Sequence, residues 1–249
     1  MLNWFSDLIE KIYEAGYSQI IYNIFFFGGF VGLTAYNLAV AKKYGLTKLK
    51  AILFTVIVYS VSVAWMFFLY WAETGFKVFG GNNIVRIFVW VPVFAYPAAK
   101  LLKIDYYTGC DFISPCVCIN HGIAHLGCIF AGCCHGYPME NGVFNPIEHY
   151  KTFPIQPIEA ITALLIAFLI ARREKKKDYK TDGLSIPIML MMFGYSRFFL
   201  EFARDNTKMF LGISSLAVHA LIAGIVGTVS YIIIKKGKEK SQPAAEQEK

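Results

Sequence analysis

Seven apolar segments divide this chain, at roughly 19–41, 51–72, 84–102, 108–132, 156–172, 183–204 and 213–234, and every second connection between them is basic. Few folds remain open to a chain patterned in this way. In hydrocarbon each backbone N–H and C=O must be bonded internally, so apolar runs near ~20 residues become spanning helices. The segments at 84–102 and 156–172 are the shortest, and both contain or border proline. The basic connections carry Lys42, Lys43, Lys48 and Lys50, then Lys100 and Lys103, then Arg172, Arg173, Lys175, Lys176, Lys177 and Lys180. After the last segment come Lys235, Lys236, Lys238 and Lys240. The intervening connections hold few cations, among them Lys77, Lys151 and Lys208. Lysine and arginine gather at cytoplasmic span ends, so seven spans put the N-terminus outside and the C-terminus in the cytoplasm. The sequence thus predicts an all-α, polytopic membrane helix bundle, with seven transmembrane helices filling residues 19–235.

The flanks differ from the bundle. In residues 1–18, Leu2, Phe5, Leu8, Ile9, Ile12 and Tyr13 share one helical face, which predicts an amphipathic helix at the membrane interface. Asp7, Glu10 and Glu14 there, with no basic stretch ahead of an apolar one, do not read as a cleavable signal. Residues 236–249 are polar and charged, and predict a disordered cytoplasmic tail. The net charge of +7 is segregated to the connections, so no nucleic-acid-binding face is expected. All six cysteines lie between Cys110 and Cys134, without a Cys-x-x-Cys pair. The clustering argues against a disulfide framework, and the vicinal pair Cys133-Cys134 would make a strained disulfide.

Three stretches carry polar chemistry. The first runs from His121 to Pro138. On a helix, Cys118, His121, His125 and Cys128 fall on one face, because steps of three and four residues stack. Gly127 and Gly132 admit close approach to the backbone, and Cys133, Cys134, His135 and Gly136 follow where the helix leaves the apolar segment. Sulfur and imidazole in lipid mark a functional site, or else thiols packed as small hydrophobes beside hydrogen-bonded histidines. In the second, Arg197, Glu201 and Arg204 recur at i, i+4 and i+7. They form either an ion-paired strut or an anion site, and one carboxylate for two guanidiniums favours the anion site. In the third, Gln156 and Glu159 open the fifth segment. Glu159 either faces the bundle or serves the helix dipole. His219 reads as a satisfied core histidine, Trp65, Trp71 and Trp90 as anchors or packing, and Phe25-Phe26-Phe27 as lipid-facing bulk.

In this order and topology the three stretches resemble the prolipoprotein diacylglyceryl transferase family. The likeness runs through Ala124-His125-Leu-Gly127-Cys128-Ile129-Phe-Ala-Gly132-Cys133-Cys134-His135-Gly136, through Phe153-Pro154-Ile-Gln156-Pro157-Ile158-Glu159-Ala160, and through Phe193-Gly194-Tyr-Ser-Arg197-Phe198-Phe-Leu-Glu201-Phe-Ala-Arg204. It covers roughly residues 105–225, and reaches the first three segments by topology alone. The chain departs from the family pattern in carrying His125 where the family motif has arginine and Phe193 where it has tyrosine. The family's His-Gly-Gly finds no counterpart in Arg86-Ile-Phe-Val-Trp90-Val-Pro92.

The resemblance implies a bacterial plasma-membrane enzyme that moves a diacylglyceryl group from phosphatidylglycerol to the lipobox cysteine of a prolipoprotein, with no cofactor or metal. Its residues would be His125, Arg197 and Glu201 as catalytic groups. Arg204, Gly127, Gly132, Gly136, Gln156, Glu159, Cys128 and His135 would surround the substrates, with His125 or His135 as the base. Donor or acceptor could be altered in this member. Two other readings stay open on the residues alone. Cys128, Cys133 or Cys134 beside His121, His125 or His135 could act as a nucleophile. The same thiols and imidazoles could instead hold Zn²⁺ or Cu⁺ in a non-enzymatic metal or redox site.

Overall fold

The computed structural model describes residues 3–77, 84–205 and 213–241, with the backbone alone at 84–86 and 240–241. Lys208, Leu2 and tail residues 242–249 lie outside the described residues. The fold is all-α apart from one small hairpin. Its helices are α1 Asn3–Glu14, α2 Ser18–Val40, α3 Lys48–Glu73, α4 Ile84–Leu102, α5 Tyr106–Ala131, α6 Ile155–Lys176, α7 Ser185–Glu201 and α8 Ser215–Ser241. Each of the seven apolar segments becomes one helix. Five of these (α2, α3, α5, α6 and α8) are long and apolar enough to cross a membrane by length and composition. With the shorter apolar helix Ile87–Leu102 beside them, these mark a membrane protein.

Local chemistry sets the boundaries. Thr47 caps α3 by accepting from Lys50 N, and Asp105 caps α5 by accepting from Thr108 N at 2.8 Å. Pro92 and Pro97 lie inside α4, where each removes one backbone donor. The last helix runs on through the basic residues to Ser241, so 236–241 are helical rather than the start of a disordered tail. A lysine-rich last turn suits the negative end of the helix dipole.

The bundle is built around α5, which packs on α2, α4, α6 and α7. Its apolar window is 78% buried, against 28–44% for the other four long helices, so polar groups on α5 face protein rather than lipid. The α7–α8 pair closes where an added Cβ on Gly194 would lie 2.4 Å from Gly224 N, which fixes a backbone-to-backbone approach. Trp65 packs edge-on against Trp90 at 5.2 Å, so these two indoles serve packing. Phe25 stacks on Phe130, while Phe27 is exposed as expected of lipid-facing bulk.

An unexpected network pins the basic end of the bundle. Asp111 of α5 is fully buried, and its Oδ2 accepts from Lys177 Nζ (3.0 Å), Asp182 N (2.9 Å) and Gly183 N (3.0 Å). Its Oδ1 accepts from Ser185 N at 3.1 Å. Glu174, also fully buried, accepts from Tyr44 Oη at 2.7 Å, from Arg173 and from Ser185 Oγ. Three carboxylates and two cations therefore tie α5, α6 and the start of α7 together.

At the opposite end, the connection between the fourth and fifth apolar segments contains an antiparallel hairpin of β1 (Pro138–Phe144) and β2 (Lys151–Thr152). A bulge lets Thr152 pair with both Pro138 and Val143. Helix α1 does not merely lie on a surface. Its Ile9 is buried with Ile129 and Val143, and Ser6 Oγ accepts from Phe144 N at 3.0 Å.

Candidate functional site

The hairpin end of the bundle holds the three polar stretches, and they meet at Glu159. The arrangement follows from helix direction. Glu159 lies in the second turn of α6, His121 and His125 in the second half of α5, and Arg197 and Glu201 toward the end of α7. Antiparallel α5 and α6 bring an early residue of one beside late residues of the other. Arg204 arrives from just beyond α7, held by a bridge between its backbone and that of Gly136. Tyr137 N donates to Ala203 O at 3.3 Å beside it.

Glu159 Oε1 lies 3.3 Å from His121 Nε2 and 3.0 Å from Arg197 Nε. Its Oε2 lies 3.1 Å from His125 Nε2 and accepts from Arg204 Nη2. Arg204 Nη2 is also 3.1 Å from His125 Nε2. Glu201 accepts from Arg197 Nη1 and from Ser214 Oγ at 2.8 Å, and its Oε2 is 3.8 Å from Arg204 Nε. All five charged or imidazole groups named in this network on α5, α6 and α7 are buried, and Arg204 beside them is 8% exposed.

Two carboxylates thus face two guanidiniums. The expectation of one carboxylate against two arginines is corrected: Glu159 supplies the second negative charge, and the dipole-partner reading of Glu159 falls with it. Balance is what allows the cluster to be buried, since an unpaired internal charge would be far costlier. The hydrogen-bond inventory is less even. Arg197 Nε and Arg204 Nε are buried donors with no hydrogen-bond partner among the described residues. The 3.0 Å approach of Arg197 Nε to Glu159 is a close charge contact without hydrogen-bond alignment. Buried donors left in this way cost about 1–3 kcal/mol each.

The remaining sequence candidates distribute around this centre. Cys128 Sγ lies 3.6 Å from His125 Nδ1, and His125 Nε2 carries this face to Arg204 Nη2 at 3.1 Å. Gln156 Nε2 donates to Cys133 O at 3.0 Å and ties the start of α6 to the turn after α5. His135 faces away, with Nε2 3.3 Å from Glu148 Oε1 and Nδ1 3.1 Å from Gly136 O. The glycines are filled against protein. A Cβ on Gly127 would press on Tyr22 O of α2 at 3.0 Å, and one on Gly136 would meet Phe153 O at 2.7 Å. Gly132 ends α5 at φ +72°, in the left-handed region that favours glycine, with Asn145 Nδ2 donating to its carbonyl at 2.9 Å. Cys134 follows in the same region at φ +59°. Hydrogen bonds from the Cys128 and Cys133 thiols, reinforced by the Arg204 charge, hold the Cys134 thiol well below the usual thiol range. His219 is satisfied by the Ser215 carbonyl at 2.7 Å, as a core histidine should be.

His121 was legible as part of the α5 face but not as a partner of Glu159. Its ring meets the stacked pair Phe88 and Phe193 edge-on, 5.6 and 5.3 Å away. The signal that could have found the pairing is the meeting of an intramembrane Glu with an intramembrane His face, since neither tolerates lipid alone.

Comparison with known proteins points the same way as the motifs. A family model described as prolipoprotein diacylglyceryl transferase matches residues 33–234. The chain is 24% identical over 140 residues to "Phosphatidylglycerol--prolipoprotein diacylglyceryl transferase 2" of Clostridium perfringens (strain 13 / Type A), covering 53% of this chain and 54% of that protein. It is 23% identical over 165 residues to the "Phosphatidylglycerol--prolipoprotein diacylglyceryl transferase" of Clostridium tetani (strain Massachusetts / E88), covering 61% and 62%. The like-named protein of Clostridium novyi (strain NT) is 25% identical over 187 residues, covering 70% and 68%. The chain spans little more than half the length of the first of these relatives and about three fifths of the second.

Proposed function

Since the chain belongs to the prolipoprotein diacylglyceryl transferase family, as the match over residues 33–234 establishes, we propose that it alkylates an exported cysteine thiol with the diacylglyceryl group of phosphatidylglycerol or a related anionic phospholipid. The bacterial plasma membrane is its setting. All seven apolar helices span it, with the N-terminus and hairpin outside and the α8 end in the cytoplasm. The 19–235 bundle is the catalytic unit and α1 its interfacial cover.

The chemistry assigns a role to each part of the cluster. The thiol sulfur of a prolipoprotein lipobox bonds to the glyceryl carbon that carries the phosphate. The carbon–oxygen bond there breaks, and glycerol phosphate leaves with the electron pair. The thiol proton goes to His125 Nε2. Arg197 and Arg204 receive the departing phosphate through their fork geometry. Glu201 orients Arg197, and Glu159 holds both guanidiniums and both imidazoles in register. Gln156 fixes the turn that carries Cys133, while Gly127, Gly132 and Gly136 set the close backbone approaches around the cluster. Cys128 and His135 line the approach of the acceptor.

One observation supports this reading above the strut alternative: the two buried Nε donors of Arg197 and Arg204 lack hydrogen-bond partners among the described residues. A purely structural cluster would have spent them, whereas phosphate oxygens would satisfy both. Expression of the chain in a strain depleted of its own transferase tests it. Restored growth and lipid-modified lipoproteins are expected from the wild type and not from Arg197→Ala. Failure of a well-expressed wild type to restore either one would overturn the assignment of substrates.

A further inference from the structure

Sulfur gathers just beyond the Glu159 cluster, at the hairpin end of α5. His125 Nδ1 and the sulfurs of Cys128 and Cys134 all lie within 4.8 Å of one another, with Nδ1 to Cys128 Sγ at 3.6 Å. Cys133, half-buried, directly precedes Cys134 in the turn after α5. The backbone makes this possible. Left-handed residues at Gly132 and Cys134, φ +72° and +59°, turn the chain back over the last turn of α5. His121 and His135, equal candidates on the sequence, are engaged with Glu159 and Glu148 instead.

We propose that His125 Nδ1, Cys128 and Cys134, with Cys133 in the fourth position, form a binding site for a thiophilic d¹⁰ cation of the zinc(II) type. The edge lengths fit. With Zn–S near 2.3 Å and Zn–N near 2.0–2.1 Å, a tetrahedral site has N···S edges of about 3.6 Å and S···S edges of about 3.8 Å. The His125–Cys128 edge already has that length, and the wider spacings close by about 1 Å. Charge also fits. Three thiolates and a dication leave one net negative charge, and the Arg204 guanidinium stands beside the site to meet it, its Nη2 3.1 Å from His125 Nε2. The outer shell is in place as well. A cation on Nδ1 puts the ring hydrogen on Nε2, which faces Glu159 Oε2 at 3.1 Å, the carboxylate–imidazole–metal arrangement that orients metal-binding histidines. Cys134 is exposed, which gives an ion a route to the site.

The binding site stands apart from the transferase reading, although it shares His125 and Cys128. Where both hold, the metal-loaded imidazole cannot accept the thiol proton, so the loaded chain is the resting form.

The full chain in detergent micelles, stripped by chelator under reducing conditions and titrated separately with Zn²⁺ and Co²⁺, provides the test. The expected result is one ion per chain by elemental analysis, a thiolate-to-cobalt charge-transfer band, and proton release on binding. Cys134→Ser, on an exposed turn, should lose stoichiometric uptake. Cys110→Ser, at the far end of α5, should keep it. Substoichiometric uptake by the wild type, absence of the cobalt band, or equal uptake by Cys134→Ser would overturn the site. Stoichiometric uptake by a chain that transfers no lipid would count against the proposed function and leave the metal site standing.

Discussion

Replacing Glu159 by glutamine keeps the side-chain volume and removes one charge from the centre of the cluster. Glu159 is 2% exposed and touches two guanidiniums and two imidazoles. In its absence Arg197 and Arg204 share Glu201 alone, and Arg204 Nε is 3.8 Å from it. One buried positive charge is then uncompensated. Breaking a buried pair in this way costs about 3–5 kcal/mol. At 1.36 kcal/mol per decade, the unfolding constant rises roughly 150-fold to 5,000-fold. Charge balance makes a sharper prediction. The double variant Glu159→Gln/Arg204→Gln removes one charge of each sign, so it should be more stable than the sum of the singles by about 2–3 kcal/mol. Reversible unfolding of wild type, both singles and the double in mixed micelles, followed by helical circular dichroism against denaturing detergent, measures the cycle. A coupling below about 0.5 kcal/mol would refute the claim that Glu159 and Arg204 act as a buried compensating pair.

The basic end offers two further tests. Asp111→Asn removes a carboxylate that accepts from three backbone N–H groups and Lys177, and should cost about 2–4 kcal/mol in the same unfolding assay. Burial alone would raise the Asp182 carboxyl, but hydrogen bonds from Arg173 and Lys177 outweigh it and hold that group well below the usual carboxylate range. A depressed folded value means the stabilisation is fully present above the unfolded value near 4, and is lost as pH falls below it. Wild type should therefore lose stability between about pH 4 and pH 2, and Asp182→Asn should lose less, modestly because this partly exposed pair is screened by solvent. Identical pH profiles would remove Asp182 from the account.

The positions of the seven apolar helices were legible because segment length and basic connections follow directly from the bilayer's demands. So was the face Arg197/Glu201/Arg204, since helical spacing aligns it within a single segment. Glu159 was only half legible. Its partners lie 34 to 45 residues away, across two helix packings, and no local pattern states which faces of α5, α6 and α7 meet. The Asp111–Glu174–Asp182 network was missed for the same reason: each acid reads alone as an ordinary residue at a span end. The hairpin escaped because β1 holds Asn141-Gly142 within a stretch that lacks alternation, and β2 is two residues long. In α8 the polar composition after Lys235 reads as disorder, while the helix continues on the momentum of an established backbone ladder.

The central claim is that His125 on α5 and Arg197 on α7 serve one reaction at one place. Mass-spectrometric measurement of diacylglyceryl transfer to a lipobox peptide, by purified chain in phosphatidylglycerol proteoliposomes, tests it most directly. The wild type should add the diacylglyceryl mass to the peptide cysteine, and His125→Ala and Arg197→Ala should each slow that step by at least about 10²-fold. Wild-type turnover in the Arg197→Ala protein would contradict the account.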